Sequence, residues 1–125
     1  MKVMEDYYYT KNHEWLKVEG DTALVGVSDY AQHEMGQIVY VELPEIDDEF
    51  SQEDTFSVVE SVKAASDIYI PVSGKIVEVN ENLEDEPELI NQDPYSNYIC
   101  KITITDKTEI DNLMNADRYK DYCTD

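Results

Sequence analysis

Basic residues are scarce in this chain. Nine Lys and Arg stand against 29 Asp and Glu, a formal net charge of −20 over 125 residues. Such a polyanion is repelled by nucleic-acid phosphates and by anionic lipid, so neither nucleic acid nor membrane is an expected partner. Most of the acid serves solubility, and a protein partner with a basic face would be steered toward it. Glycine is scarce too, at four residues, and no phosphate-cradling glycine loop is present. The two cysteines, Cys100 and Cys123, form neither a CxxC pair nor a zinc spacing, and a reducing compartment is the simpler assumption. The two histidines, His13 and His33, stand outside any GxSxG or HExxH pattern, so packing or surface roles outweigh catalysis and no metal site is expected. With so many carboxylates, close acidic pairs arise by chance, and none singles itself out for acid–base work. Long apolar runs are missing, so nothing spans a membrane as a helix. Met1 to Asp6 carries neither an apolar signal core nor an Arg-rich transit pattern. The expected location is therefore a bacterial cytoplasm, or the mitochondrial matrix if this is a processed form.

What is present is strand pattern. Trp15 to Val18 turns at Glu19-Gly20-Asp21 into Thr22 to Val27, a hairpin. Ser28 or Asp29 then caps a short helix, with Gln32 three residues after Asp29 and Gly36 as its stop. Ile38 to Leu43 is a strand ended by Pro44, and Glu45 to Asp54 is an acidic connection. Thr55 to Ser61 and Ile68 to Val72 are strands flanking the short segment Val62 to Asp67. Lys75 to Val79 follows the turn Ser73-Gly74. Pro87 to Ile90 reads as one helical turn. Tyr98 to Thr105 alternates, with Tyr98, Cys100, Ile102 and Ile104 on one face and Ile99, Lys101, Thr103 and Thr105 on the other. Ile110, Leu113 and Met114 fit a helix; Tyr119, Tyr122 and Cys123 fit a second, with Asn115 as its cap. Many short strands with peripheral helices predict a mainly β fold, a small sandwich or barrel. Residues 1–125 read as a single domain, with residues 1–6 a flexible N-terminus.

One lysine stands apart. Lys63 lies between two strand patterns, beside small Ala64, Ala65 and Ser66. A lysine so placed projects from a hairpin tip with little steric cover, which suits attack of its neutral amine on an activated carboxylate held by another protein. By spacing alone this is a modest signal, since most surface lysines only solvate.

Longer patterns sharpen it. Val59-Glu60-Ser61-Val62-Lys63-Ala64-Ala65-Ser66-Asp67 resembles the lipoylation motif of the glycine cleavage system H proteins. Tyr9 to Trp15, Val25 to Gln32, Ile38 to Pro44, Pro71 to Gly74, Val77 to Asn80 and Pro87 to Asn91 resemble further segments of that family. The likeness runs from about Tyr7 to the end. It implies a lipoyl-type β-sandwich (a barrel-sandwich hybrid) with short peripheral helices and a C-terminal helical segment.

The resemblance also implies a non-catalytic carrier with lipoic acid bound covalently to Lys63, in the motif formed by Glu60, Ser61, Val62, Ala64, Ser66 and Asp67. The implied role is to shuttle an aminomethyl group from glycine decarboxylase (P protein) to an aminomethyltransferase (T protein). Dihydrolipoamide dehydrogenase (L protein) and a lipoate ligase or lipoyl transferase complete the implied partners, and the carrier is a monomer. The alternative is a relay that donates lipoyl groups to other acceptor proteins. A biotin carrier is disfavoured, because biotinyl lysines sit between methionines and the neighbours here are Val62 and Ala64. In the family the loaded arm rests in a cleft on the carrier; the matching positions are Glu14 and Asp67, with Asn12 where the family often has serine or threonine. The turns Ile46-Asp47-Asp48 and Ser51-Gln52-Glu53 lack the family's glycines, and a reshaped turn is expected at Gln52.

Overall fold

The computed structural model describes residues 1–124. In chain order it holds β1 (Tyr8–Tyr9), β2 (Glu14–Glu19), β3 (Thr22–Val27), α1 (Asp29–Met35), β4 (Ile38–Glu42), β5 (Glu49–Phe50) and β6 (Thr55–Ser61). Then come β7 (Ala65–Tyr69), β8 (Gly74–Val79), α2 (Asn82–Asp85), α3 (Leu89–Gln92), β9 (Cys100–Ile104), a 3₁₀ turn (Lys107–Asn112) and α4 (Ala116–Thr124). The strands form two antiparallel sheets, one ordered β1-β2-β3-β9-β8-β5 and the other β4-β6-β7.

The local chemistry explains most of these elements. Gly20 turns the β2–β3 hairpin with φ +67°, a left-handed conformation that costs glycine little. Ser28 caps α1 by accepting the Ala31 N–H at 3.1 Å, while Gln32 reaches back to Asp29. At the other end of α1, Gly36 takes φ 76°, ψ −155°, a region nearly closed to other residues. Asn115 caps α4 by accepting the Arg118 N–H at 2.9 Å.

Several elements differ from the sequence reading. The acidic connection contains β5, which pairs Glu49 with Lys75 and Phe50 with Gly74; a two-residue strand has no period to read. β7 starts at Ala65, because polar Ser66 and Asp67 continue the ladder against Val59 and Val58. Ile70, Pro71 and Val72 are buried beyond the strand's end. Ile99, expected to face away from Cys100, is fully buried and precedes β9. α2 forms around the single buried anchor Leu83. The helix expected through Met114 is a 3₁₀ turn that ends at Asn112, and Met114 pairs with Tyr9 through two backbone bonds of 2.8 Å.

Two cores result. Aliphatic side chains from both sheets form the larger one, including Leu16, Val25, Ile38, Val59, Ile76 and Ile102. A second, largely aromatic core holds Tyr7, Tyr9, Trp15, Tyr95 and Tyr119 with Met114 and Ala116. Several of its polar tips have partners: Trp15 Nε1 donates to the Pro94 carbonyl at 3.2 Å, and Tyr119 Oη bonds Ser28 Oγ at 2.6 Å and His13 Nδ1 at 2.8 Å. In the N-terminal segment, Val3 and Met4 pack against this core. The Lys2 N–H donates to Asp29 at 2.7 Å, Tyr95 Oη donates to the Lys2 carbonyl at 2.7 Å, and Glu5 pairs with Lys120.

Candidate functional site

The β6–β7 hairpin closes through a tight turn from Ser61 to Ala64. The Ser61 N–H donates to the Ala64 carbonyl at 2.9 Å. Its hydroxyl donates to the same carbonyl at 3.3 Å and accepts the N–H groups of Lys63 (3.2 Å) and Ala64 (3.4 Å). Two-residue hairpin loops usually recruit residues with positive φ. Here neither Val62 nor Lys63 has one; the Ser61 side chain supplies the closing bonds instead. The Val62 N–H donates at 2.9 Å to the carbonyl of Gln37, just ahead of β4, so the tip is tied to the neighbouring strand.

Lys63 is exposed at this tip. Its Nζ donates to the Glu34 carbonyl at 3.3 Å, near the end of α1. Its stem passes Gly36 closely enough that a Cβ there would sit 3.4 Å from Lys63 Cε. The ion pairs found among the described residues are Lys75–Asp47, Lys107–Asp21 and Lys120–Glu5, and none involves Lys63. Val62 and Ala64 beside it are exposed, as is Glu60, which pairs across the sheet with Tyr40 and Ala65. Ser66 and Asp67 belong to β7 and not to the turn.

A second feature lies at the far end of β7. A cleft of about 590 Å³ is lined by residues of the N-terminal segment, the Gln52 turn, the end of β7 and α4. Glu14 lines it and is 1% exposed. The Thr10 hydroxyl donates to Glu14 Oε1, and the Tyr69 N–H donates to Oε2 at 3.3 Å. Burial nevertheless pushes this carboxyl up to about 7, against those two bonds, which favour the charged form. His13, next to Glu14, takes φ +71°. Its ring stacks on Tyr30 at 4.4 Å, and burial holds its imidazole below the ordinary histidine value.

Of the expected cleft residues, Glu14 and Asn12 line the cavity and Asp67 does not. Asp67 is exposed on β7, two residues before Tyr69, which does line it. Sequence reading missed Thr10, Gln52, Tyr69, Arg118 and Tyr122, which long-range packing brings to the cleft. Gln52 had registered only as a turn position. Its amide spans the cleft wall, donating to the carbonyls of Pro71 (2.9 Å) and Glu109 (3.3 Å). Among the described residues, no group of three or more His, Cys, Asp or Glu side chains is placed to hold a metal ion. No helix among them is long and apolar enough to cross a membrane.

Two antiparallel sheets with short helices, presenting an exposed lysine on a hairpin tip, define a lipoyl-type carrier fold. The chain belongs to the glycine cleavage H-protein family, whose model matches residues 7–125. It is 58% identical over 123 residues to the glycine cleavage system H protein of Halothermothrix orenii, covering 98% of this chain and 96% of that one. It is 52% identical over 122 residues to the H protein of Staphylococcus haemolyticus, covering 97% of each. The crystal structure of a glycine cleavage system H protein from Mycobacterium marinum superposes with a TM-score of 0.88 at 32% identity, over 98% of this chain and 99% of that one.

Proposed function

We propose that Lys63 is the covalent attachment point of a lipoyl group, and that the chain is the lipoyl-carrying shuttle of the glycine cleavage system. In that role it moves the aminomethyl group from glycine decarboxylase to the aminomethyltransferase. The observation that carries the reading is the setting of Lys63: an exposed amine on a short turn, touching the Glu34 carbonyl and with no carboxylate partner among the described residues. The residues around it fit an acylated lysine. An amide N–H still satisfies the Glu34 carbonyl, while the loss of charge removes nothing that an ion pair held. When bound, the lipoyl group supplies a disulfide that takes up and gives back its cargo, and the protein supplies presentation.

The chain's own residues have two tasks. Ser61 and the Gln37 carbonyl fix the turn, so that Lys63 projects into solvent toward a partner's active site. Glu14 and Asn12 line a cleft suited to an amine-bearing end group. Because the Glu14 carboxyl titrates near 7, an entering cation favours its ionised form. Asp67 stands outside the cleft lining, so its part in holding cargo is the weakest of the three. The carrier performs no catalytic step. It works in the bacterial cytoplasm as a monomer that meets glycine decarboxylase, the aminomethyltransferase and dihydrolipoamide dehydrogenase in turn, after a lipoate ligase or lipoyl transferase has loaded it.

The test is direct. The chain is co-expressed with a lipoate ligase, digested, and its peptides are weighed. Added lipoyl mass on the peptide bearing Lys63 is expected; modification at another lysine overturns the assignment.

A further inference from the structure

The hairpin tip leans on the short link between α1 and β4, and that link is held by one side chain from elsewhere in the chain. Asn91, in α3, accepts the Ile38 N–H with Oδ1 at 2.9 Å. Its Nδ2 donates to the Gly36 carbonyl at 2.9 Å and to Gln32 Oε1 at 3.0 Å. An Asn side chain offers two donors and a two-fold acceptor, so three of its four bonding positions are spent on this region. The two backbone bonds bracket Gln37, one on each side. Gln37 is the residue whose carbonyl receives the Val62 N–H, immediately before Lys63. Gly36, whose carbonyl Asn91 holds, is also the residue against which the Lys63 stem lies. Its φ of 76° and ψ of −155° leave few alternative ways to complete the link.

We infer that Asn91 is a positioning residue for Lys63, fixing the Gly36-Gln37-Ile38 link so that the hairpin tip presents the lysine in one orientation to the enzyme that acylates it. The inference rests on the reading of Lys63 as the attachment point. Among the described residues, no other side chain bonds the link's backbone on both sides of Gln37. Freed of Asn91, the Gln37 carbonyl is held only by its neighbours' backbone, and the Val62 bond loses its fixed anchor. Attachment enzymes act on a lysine within a narrow geometric tolerance, and displacements of about 1 Å can cost up to a hundredfold in rate.

The experiment measures two things on the full chain. One is kcat/KM for acylation by a lipoate ligase that activates lipoate as its adenylate; Nζ of Lys63 attacks the acyl carbon, an amide forms, a proton is lost and AMP leaves. The other is hydrogen exchange at the Val62 amide, which needs no ligase. Asn91→Ala is expected to lower kcat/KM by about tenfold or more and to speed Val62 exchange. Asn91→Asp, which keeps the acceptor for Ile38 but turns a carboxylate oxygen on the Gly36 carbonyl and Gln32 Oε1, is expected to lower kcat/KM and speed Val62 exchange at least as much and serves if Asn91→Ala does not fold. Ile102→Val, a core change in the other sheet, controls for general loosening and is expected to leave both readouts at the wild-type level. Wild-type acylation and wild-type Val62 exchange in the Asn91 variants would overturn the inference. So would equal slowing in Ile102→Val. Absence of acylation at Lys63 in the wild-type chain would overturn the attachment reading instead, and the exchange data would still decide the role of Asn91.

Discussion

Strand β7 joins two regions built on opposite terms. At its start, the turn from Ser61 to Ala64 leaves Lys63 exposed and, among the described residues, without an ion pair. At its end, the Tyr69 N–H points to Glu14, a carboxyl so buried that it titrates near 7. The first region spends hydrogen bonds on backbone and leaves an exposed lysine whose Nζ rests on the Glu34 carbonyl. The second buries an ionisable group, which costs stability whenever that group is charged. On the proposed reading of Lys63 and Glu14, function at the first end is separable from stability, whereas at the second the two are tied together.

The sharpest way to break this comparison is Lys63→Arg. It keeps charge and exposure but cannot form the lipoyl amide. Glycine decarboxylation in a reconstituted system is expected to fall to background with the thermal midpoint unchanged; retained activity would end the tether account. Next comes Glu14→Gln. The folded carboxyl titrates near 7, above the ordinary value it has when unfolded, so the native state holds the extra proton. Its contribution to stability is fully present below about pH 4.5 and declines as pH rises to about 7, by roughly 3 kcal/mol in all. Urea titrations of both proteins from pH 4 to 8 should show that decline in wild type relative to Glu14→Gln; parallel curves would refute it.

Gly26→Ala probes the packing behind Glu14. A Cβ there would lie 2.7 Å from the buried Trp15 ring, and overpacking of this kind costs about 1–3 kcal/mol. Lys63 acylation should persist in whatever fraction stays folded, and a variant as stable as wild type would show that the indole has room to move. The smallest effect is a gain. Glu53 holds φ +75° on the cleft's rim, and relieving a left-handed residue is worth about 1–2 kcal/mol. The added freedom of the unfolded chain returns about 0.4–1 kcal/mol of that. Glu53→Gly should therefore raise stability by about 0.5–1 kcal/mol in equilibrium unfolding, and any loss would contradict the strain assigned there.

The two regions also differed in how far they were legible beforehand. Ser61, Lys63 and their neighbours are contiguous, so one motif shows them all, and the β6 bounds Thr55 to Ser61 follow from apolar pattern alone. The cleft is assembled from Thr10, Gln52, Tyr69 and Tyr122, which only packing brings together, and no local pattern marks them. Family likeness pointed to Glu14, Asn12 and Asp67 together; the first two line the cavity and Asp67 is exposed on β7. The missing glycines were visible as absences. The residues that carry the positive φ are Asp47 and Glu53, and Gln52 is not among them. β5 and α2 are too short to leave a periodic signal, and each forms because one apolar residue, Phe50 or Leu83, reaches the main core.

The glycine-free turn at Ser61 has a mechanical consequence. Three bonds to one hydroxyl and a fourth from Val62 to Gln37 leave the Lys63 Cα with little play of its own. All the searching that an attached arm does must then come from rotatable bonds beyond that atom, pivoting about a stationary base. A stationary pivot narrows the volume through which the arm's end is spread, and so raises its local concentration at any docked active site.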